Sequence, residues 1–584
     1  MKISYTIFIF ICLLFSAEVS GQAVEQKIVA EGLSESFHGE KIHLHYNTSL
    51  LFPGEYFLYS VYSLRSGSGE ASNFSKIAYV EMLGEDNEPI FRQKIKLENG
   101  RGSADYFIPT DTPSGTYKLI AYTNWMKNFK NSFFEGDLVV INPYQGNQKK
   151  LLGTSGDNNI RKISGSLNTI TEKEQRDVFG LKLNKTEFTN REQVEMELDE
   201  KGADAAAGRY SLSVRKIGDL PAPQKGAPAN IINAGSGATS INSREKVFLP
   251  ELRGQLVSGS VFAANGGALE NIKVALSIPS YDGFVQIAIT NSFGQFFFNL
   301  DRELRDEDAV LEILGDAGRD MEIKIDRNEG VDTERLEFAD YVITPGMEEE
   351  IVERSLYNQI ENAYFSVKPD TLVPLQEEIL FPASIVETYD LDDYTRFKGV
   401  PDTFVEIIKS AWVKREGRDK RVLEVRGLLG HLAMGLKSLV MVDGLLLQDH
   451  SALIDYDARK IQTIKIIRDK IYLGPEIYQG AVLVETIDGD FPQIYNAPNS
   501  LKIELRHPEI AKKYFQQVYN KENKDNRIPD YRYQLLWNPE LSPNKADNVI
   551  SFFTSDVDGK FEVVLEGFTA SGTPVYIRKN FTVE

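Results

Sequence analysis

Short runs in which apolar and polar residues alternate, each closed by Gly, Asn, Asp or Pro, recur from about residue 50 to the C-terminal end. Val194-Glu195-Met196-Glu197-Leu198 and Tyr210-Ser211-Leu212-Ser213-Val214 alternate strictly, and Tyr56–Tyr62 follows Pro53-Gly54. Phe91–Leu97 reaches Asn99-Gly100 before Ala104–Ile108, the spacing of a tight hairpin. A period of two places one set of side chains on one face, so such runs bury as strands of layered sheets and not as helices. The 26 Tyr and 33 Phe suit pleated, half-buried surfaces. The fold class expected is mainly β, with tandem sandwiches. Met347–Asn362, with Glu348, Glu349 and Glu350 in its first turn, is the one long helix expected. Beyond Asp390, helix-like Thr403–Trp412 alternates with the β runs Leu439–Val442, Ile464–Ile467 and Ala481–Thr486, which predicts an inserted α+β domain.

At 584 residues the chain has length for about four domains. Met1-Lys2 opens an almost wholly apolar run to Phe15, followed by small and polar residues, so 1–21 reads as a secretory signal cleaved after Gly21 or Ala23. Cys12, the single cysteine, leaves with it, which removes disulfides, thiol catalysis and Cys-ligated metal. The boundaries expected are a first sandwich over 22–145, a polar linker to about 175 and a second β unit over 176–245 with a Pro/Gly/Ala/Ser-rich tail at 221–243. A third β unit over 246–346, a helical connector over 347–393, the α+β domain over 394–491 and a C-terminal sandwich over 500–584 with an Asp558-Gly559 hairpin complete the chain. Gly254–Phe262, Lys273–Ile278, Val285–Thr290 and Phe296–Leu300 are the strands of the third unit.

A net charge of −20 and the absence of a Lys/Arg block argue against nucleic acid, because polyanion binding needs a basic face. The sequence contains no G-x-S-x-G, H-E-x-x-H, phosphate loop or G-x-G-x-x-G. His43 and His45, at i and i+2 of a strand, could hold a metal with a further carboxylate; without an identifiable third ligand they read as polar residues on the wet face of a sandwich. Carboxylate runs such as Asp392-Asp393 read as solvated faces. No enzymatic activity, cofactor or metal is expected.

Pro53-Gly54-Glu55, Asn99-Gly100 and Pro113–Tyr117 leading to Ala121–Asn128 resemble the macroglobulin-type β-sandwich of exported bacterial proteins. The unit around Tyr210 looks like another. Gly254–Val261 with Thr290–Phe296 is similar to the carboxypeptidase regulatory-like, transthyretin-type domain, a structural module. Ser438–Gly444, Ile461–Ile467, Lys470–Gly474 and Gly480–Thr486 resemble the plug domain of TonB-dependent outer-membrane receptors, although a plain α+β domain shares strands closed by Gly turns. A receptor barrel takes about 22 strands of about 10 residues, whereas only 94 residues follow position 490. The chain would be a plug without its own barrel.

This module order resembles a family of exported proteins of gliding-type bacteria, and the resemblance implies a periplasmic, outer-membrane-associated protein. Its implied partner is an outer-membrane β-barrel or a secretion translocon, such as the type IX translocon that a separate plug subunit occludes. Attachment to the membrane would be peripheral, through that partner. The partner-binding residues expected are Asp443, Gly444, Leu445, Leu446, Tyr472, Gly474 and Gly480, where apolar side chains stand at turns. The alternative is a cell-surface binding or scaffold protein, for which Gly559–Val564 and Lys579–Val583 loosely resemble a type IX sorting domain.

Overall fold

The computed structural model describes residues 39–129, 132–146, 178–229, 247–279, 284–305, 307–315, 321–327, 329–374, 381, 383–417, 420–428, 435–497, 499–523, 526–541 and 549–584. The expected signal peptide with Cys12, most of the 145–175 linker and the far part of the 221–243 tail lie outside them. The chain is mainly β and divides into two compact units, one from residues within 1–253, 330–373 and 508–584, the other from 254–329 and 374–507.

The first unit opens with β1 (Glu40–Tyr46), β2 (Leu50–Leu51), β3 (Tyr56–Arg65), β4 (Ile77–Leu83), β5 (Pro89–Lys96), β6 (Arg101–Phe107), β7 (Gly115–Thr123) and β8 (Phe134–Val140). They make two sheets, β1-β3-β6 and β2-β8-β7-β4-β5, which close over Leu44, Phe57, Val61, Val80, Met82 and Leu119. Asn99 and Gly100 both take positive φ, 52° and 75°, as a two-residue turn requires. The expected hairpin closes over one residue pair only: Glu98 and Arg101 exchange backbone bonds of 2.8 and 3.1 Å across the turn, and the ladder stops there. β5 pairs with β4 and β6 with β3, so the turn carries the chain from one sheet to the other.

β9 (Phe179–Leu183), β10 (Glu187–Phe188), β11 (Gln193–Glu200) and β12 (Arg209–Lys216) follow. β9 pairs with β11, but the other partners come from 534–583: β10 pairs with Pro574–Val583, β11 with Val549–Phe553, and β12 with Gln534–Leu541 and Gly559–Phe568. The expectation of separate domains at 176–245 and 500–584 is therefore corrected: one sandwich is built from both. Strict alternation shows which residues face inward, but β9 and β11 lie in one sheet and β10 and β12 in the other, so both sheets are completed only by the later strands.

The second unit begins with β13 (Gln255–Ala263), β14 (Lys273–Ile278), β15 (Phe284–Ile289), β16 (Gln295–Leu300), β17 (Asp308–Leu314) and β18 (Met321–Ile325), the first four close to the expected runs. The helix α1 (Glu348–Ala363) and β19 (Thr371–Leu372) return to the first unit. β20 (Val386–Asp390), a short helix α2 (Val400–Glu406), β21 (Ala411–Glu416), β22 (Lys420–Val425), β23 (Leu439–Val442), β24 (Leu445–Leu446), β25 (Ile461–Leu473) and β26 (Glu476–Thr486) make the α+β domain. Its central sheet has the order β20-β25-β26-β23-β24, with β23 parallel to β26. Helical character stops at Glu406, and Trp412 lies on the β21–β22 hairpin, so the helix expected through Trp412 is shorter than its pattern. β27 (Ser500–Glu504) adds to β17 in the sheet β15-β14-β17-β27, opposite β16-β13-β18.

Two boundaries move accordingly. The 347–393 segment is not one connector, because its helix belongs to the first unit while β20 is the edge of the central sheet of the second. The 500–584 segment is likewise split at 507. The chain ends with β28 (Lys512–Lys513), which pairs with β19, and β29 (Gln534–Leu541), β30 (Val549–Phe553), β31 (Gly559–Phe568) and β32 (Pro574–Val583). These give the sheets β10-β32-β31-β12-β29 and β30-β11-β9 over a core of Phe179, Val194, Tyr210, Leu212, Phe561 and Phe581. Asp558-Gly559 makes no hairpin, since β30 joins β11 in the opposite sheet.

Candidate functional site

The hairpin β25–β26 carries the most exposed of the sequence-predicted partner residues. Ile471 and Leu473 alternate inward and pack with Val285 and Ile287 of β15, whereas Tyr472 points out and is 71% exposed. Ile477 stands opposite Tyr472 in the register and is 44% exposed. Gly474 turns the hairpin at φ 56°, and a Cβ there would lie 2.2 Å from the Ile287 carbonyl oxygen. Close backbone approach thus fixes one face of the hairpin end and leaves an aromatic and a β-branched side chain on the other.

The remaining predicted residues do not share that surface. Leu445 and Leu446 are each 3% exposed, Leu445 in the core of the α+β domain and Leu446 in the cluster with Ile471, its amide donating to Ser277 Oγ at 3.2 Å. They form a short strand folded back on β23 and are both buried, so they are not on the surface that carries Tyr472. Asp443 and Gly444 have φ of 47° and 79° and form the turn of that pair. The Asp443 carboxylate accepts from Thr486 N at 2.7 Å, Thr486 Oγ1 at 2.6 Å and Phe491 N at 3.2 Å, which makes it a strap between turns. Gly480, at φ 70°, sits where the β25–β26 register shifts, 2.4 Å from the Ile467 carbonyl by its absent Cβ.

Two buried charge clusters in the first unit escaped the sequence reading. His43 and His45 are not on a wet face: β1 lies under the second sandwich, and both rings are buried. His43 Nε2 is 3.0 Å from Glu566 Oε2, and His45 Nδ1 is 2.5 Å from Ser211 Oγ. Burial pushes the His45 ring down to about 4, against the pull of Glu566. Among the described residues no group of three His, Cys, Asp or Glu side chains is gathered to hold a metal ion.

The second cluster centres on Glu55. Its carboxylate accepts from Arg354 Nε and Nη2, both at 2.8 Å, and from Arg215 Nη2 at 3.3 Å. Arg354 stands on α1, where Ile351 and Ser355 are also turned inward, and its guanidinium lies 4.4 Å from the Phe52 ring centre. Burial alone would raise the Glu55 carboxyl, but the charges of Arg354 and then Arg215 hold it at about 2. Both clusters join residues far apart in the chain, and only pairing across that distance could have revealed them.

The chain is similar to bacterial alpha-2-macroglobulins. The Salmonella protein reacted with methylamine matches 94% of this chain and 40% of its own at 10% identity and a TM-score of 0.22. The Escherichia coli protein activated by porcine elastase matches 93% and 44%, at 9% identity and a TM-score of 0.24. Dimeric latent PorU from Porphyromonas gingivalis matches 49% and 34%, at 11% identity and 0.15. The chain thus spans about two fifths of the macroglobulins it matches. No protein-family model matches it. No curated protein matches it.

Proposed function

We propose that this is an exported, non-enzymatic protein that docks on or occludes an outer-membrane β-barrel channel, such as a secretion translocon, through the α+β domain acting as a barrel-less plug. In this reading the protein lies in the periplasm, held to the membrane by its partner alone, and the sandwiches serve as spacers and partner surfaces. The observation that carries it is Tyr472, 71% exposed beside Ile477 on a hairpin whose other face is locked in a core. An apolar anchor on a rigid element loses little entropy on binding and is what an interface centre requires.

The test is co-purification with outer-membrane proteins of the full chain carrying Tyr472→Ser and Ile477→Ser. Excision of 394–491 is unsuitable, because it would strip the partners of β20 and open the cluster shared with β15. The expected result is loss of a barrel protein from the bound fraction with the circular dichroism unchanged. If the same barrel protein stays bound at the same yield, the plug reading fails. Cleavage of the protein on intact cells by external protease would instead place it at the cell surface as a scaffold.

A further inference from the structure

A cavity of about 710 Å³ lies in the first unit between two strand edges of the composite sandwich. Phe179–Leu181 of β9 and Tyr576–Lys579 of β32 both line it. In β32 the amides of Thr582 and Glu584 point away from β31, to Thr186 and Phe188. By the two-residue period the N–H and C=O groups of Tyr576, Arg578 and Asn580 point the same way. β10 reaches only Thr582 and Val583, and among the described residues those three make no backbone bond on that side. On β9, Gly180 and Lys182 turn their backbone toward β11, so Phe179 and Leu181 also present an open edge.

The lining is basic in an acidic chain. Arg215, Lys216, Lys225, Arg354, Arg578 and Lys579 contribute to it, against Glu562 as the carboxylate. Arg215 and Arg354 share the single Glu55 carboxylate. Lys225 donates to the Tyr46 and Asn47 carbonyl oxygens at 2.9 and 3.5 Å and, among the described residues, has no carboxylate in contact. Burial pulls its ammonium below the ordinary value despite the attraction of Glu566 and Glu562, as expected of a cation short of counter-charge. An open edge and excess positive charge therefore face the same space.

We infer that this cavity receives an extended, carboxylate-bearing peptide segment, which pairs with the free edge of β32 at Tyr576, Arg578 and Asn580 and sets its acidic side chains against the surrounding cations. Strand addition satisfies the open N–H and C=O groups, and the cations select the partner's charge. The cavity belongs to the first unit, so this inference is independent of the plug reading.

The test is a fluorescence-anisotropy titration of the full chain with a dye-labelled octapeptide of alternating Glu and Val. Its companions are the Lys/Val counterpart, a Glu/Val peptide N-methylated at alternate residues, and free glutarate as competitor. The Glu/Val peptide is expected to saturate, and the Lys/Val peptide is not. N-methylation is expected to weaken binding at least about tenfold, since it removes several backbone bonds. Arg578→Glu with Lys579→Glu should weaken it as much. Asn580→Pro removes an outward N–H without touching the β31 ladder and should do the same. Equal binding of the N-methylated peptide, or binding indifferent to these substitutions, overturns strand addition. Displacement by glutarate at the peptide's own affinity shows a small-anion pocket and overturns it too, as does no binding by any peptide. If Asn580→Pro fails to fold, the N-methylated peptide on the unaltered chain decides.

Discussion

Replacing Glu55 with Gln keeps the size of the side chain and removes the charge that two buried guanidiniums share. The Glu55 carboxyl stands at about 2 against an ordinary 4.5, so its ionised form is stabilised in the folded chain by roughly 3 kcal/mol at about 1.4 kcal/mol per pH unit. Breaking a buried pair by removing one partner costs 3–5 kcal/mol by general experience, which is the same size. A carboxyl lowered on folding adds stability that is complete above pH ~4.5 and is lost as the pH falls through its folded value near 2. Glu55→Gln should therefore cost the first unit about 3 kcal/mol at pH 7, with the gap to the unaltered protein closing as the pH falls from 4.5 toward 2. Because Arg354 ties α1 to this carboxylate, hydrogen exchange in 348–363 should accelerate before exchange in β25 and β26 of the other unit does. Urea unfolding followed by hydrogen exchange reads both effects. A loss below about 1 kcal/mol, or one that does not shrink in acid, would refute the charge argument.

His45 stands at about 4 against an ordinary 6.5, so the unfolded chain binds the extra proton first and stability falls as the pH drops from 6.5 to 4; between pH 7.5 and 5 this amounts to about 2 kcal/mol, and His45→Gln should flatten that part of the urea-midpoint profile. Leu446→Ala should cost about 2–5 kcal/mol as a core truncation, whereas Tyr472→Ala, on the surface, should stay within about 0.5 kcal/mol; comparable losses in thermal melts would contradict the assigned orientations. Gly474→Ala puts a Cβ against the Ile287 carbonyl at positive φ and should lower the melting temperature of the second unit while exposing the hairpin to limited proteolysis; an unchanged melt would show that the approach is not tight.

How far the sequence could be read depended on the range of the interaction involved. Period-two alternation at Val194–Leu198, turn chemistry at Asn99-Gly100 and Asp443-Gly444, and the acidic first turn of α1 are local properties, and each element formed close to where its residues place it. Local pattern thus accounts for the mainly β class, the strands of the 255–300 segment and the inward faces of most runs. Strand partnership arises from contacts between distant parts of the chain. β12 lies between β29 and β31, more than 300 residues away, and the strands on either side of Asn99-Gly100 part into two sheets after a single bonded pair. The same holds for exposure. Leu446 and Tyr472 look alike as apolar residues at turns, yet one is covered by β23 and the β15 cluster and the other faces solvent. Glu55 and Glu566 are two among 85 acidic residues until folding buries them against Arg354 and His43. Local pattern specifies which face of a segment avoids water, while the identity of what covers it is a property of contacts between distant parts of the chain.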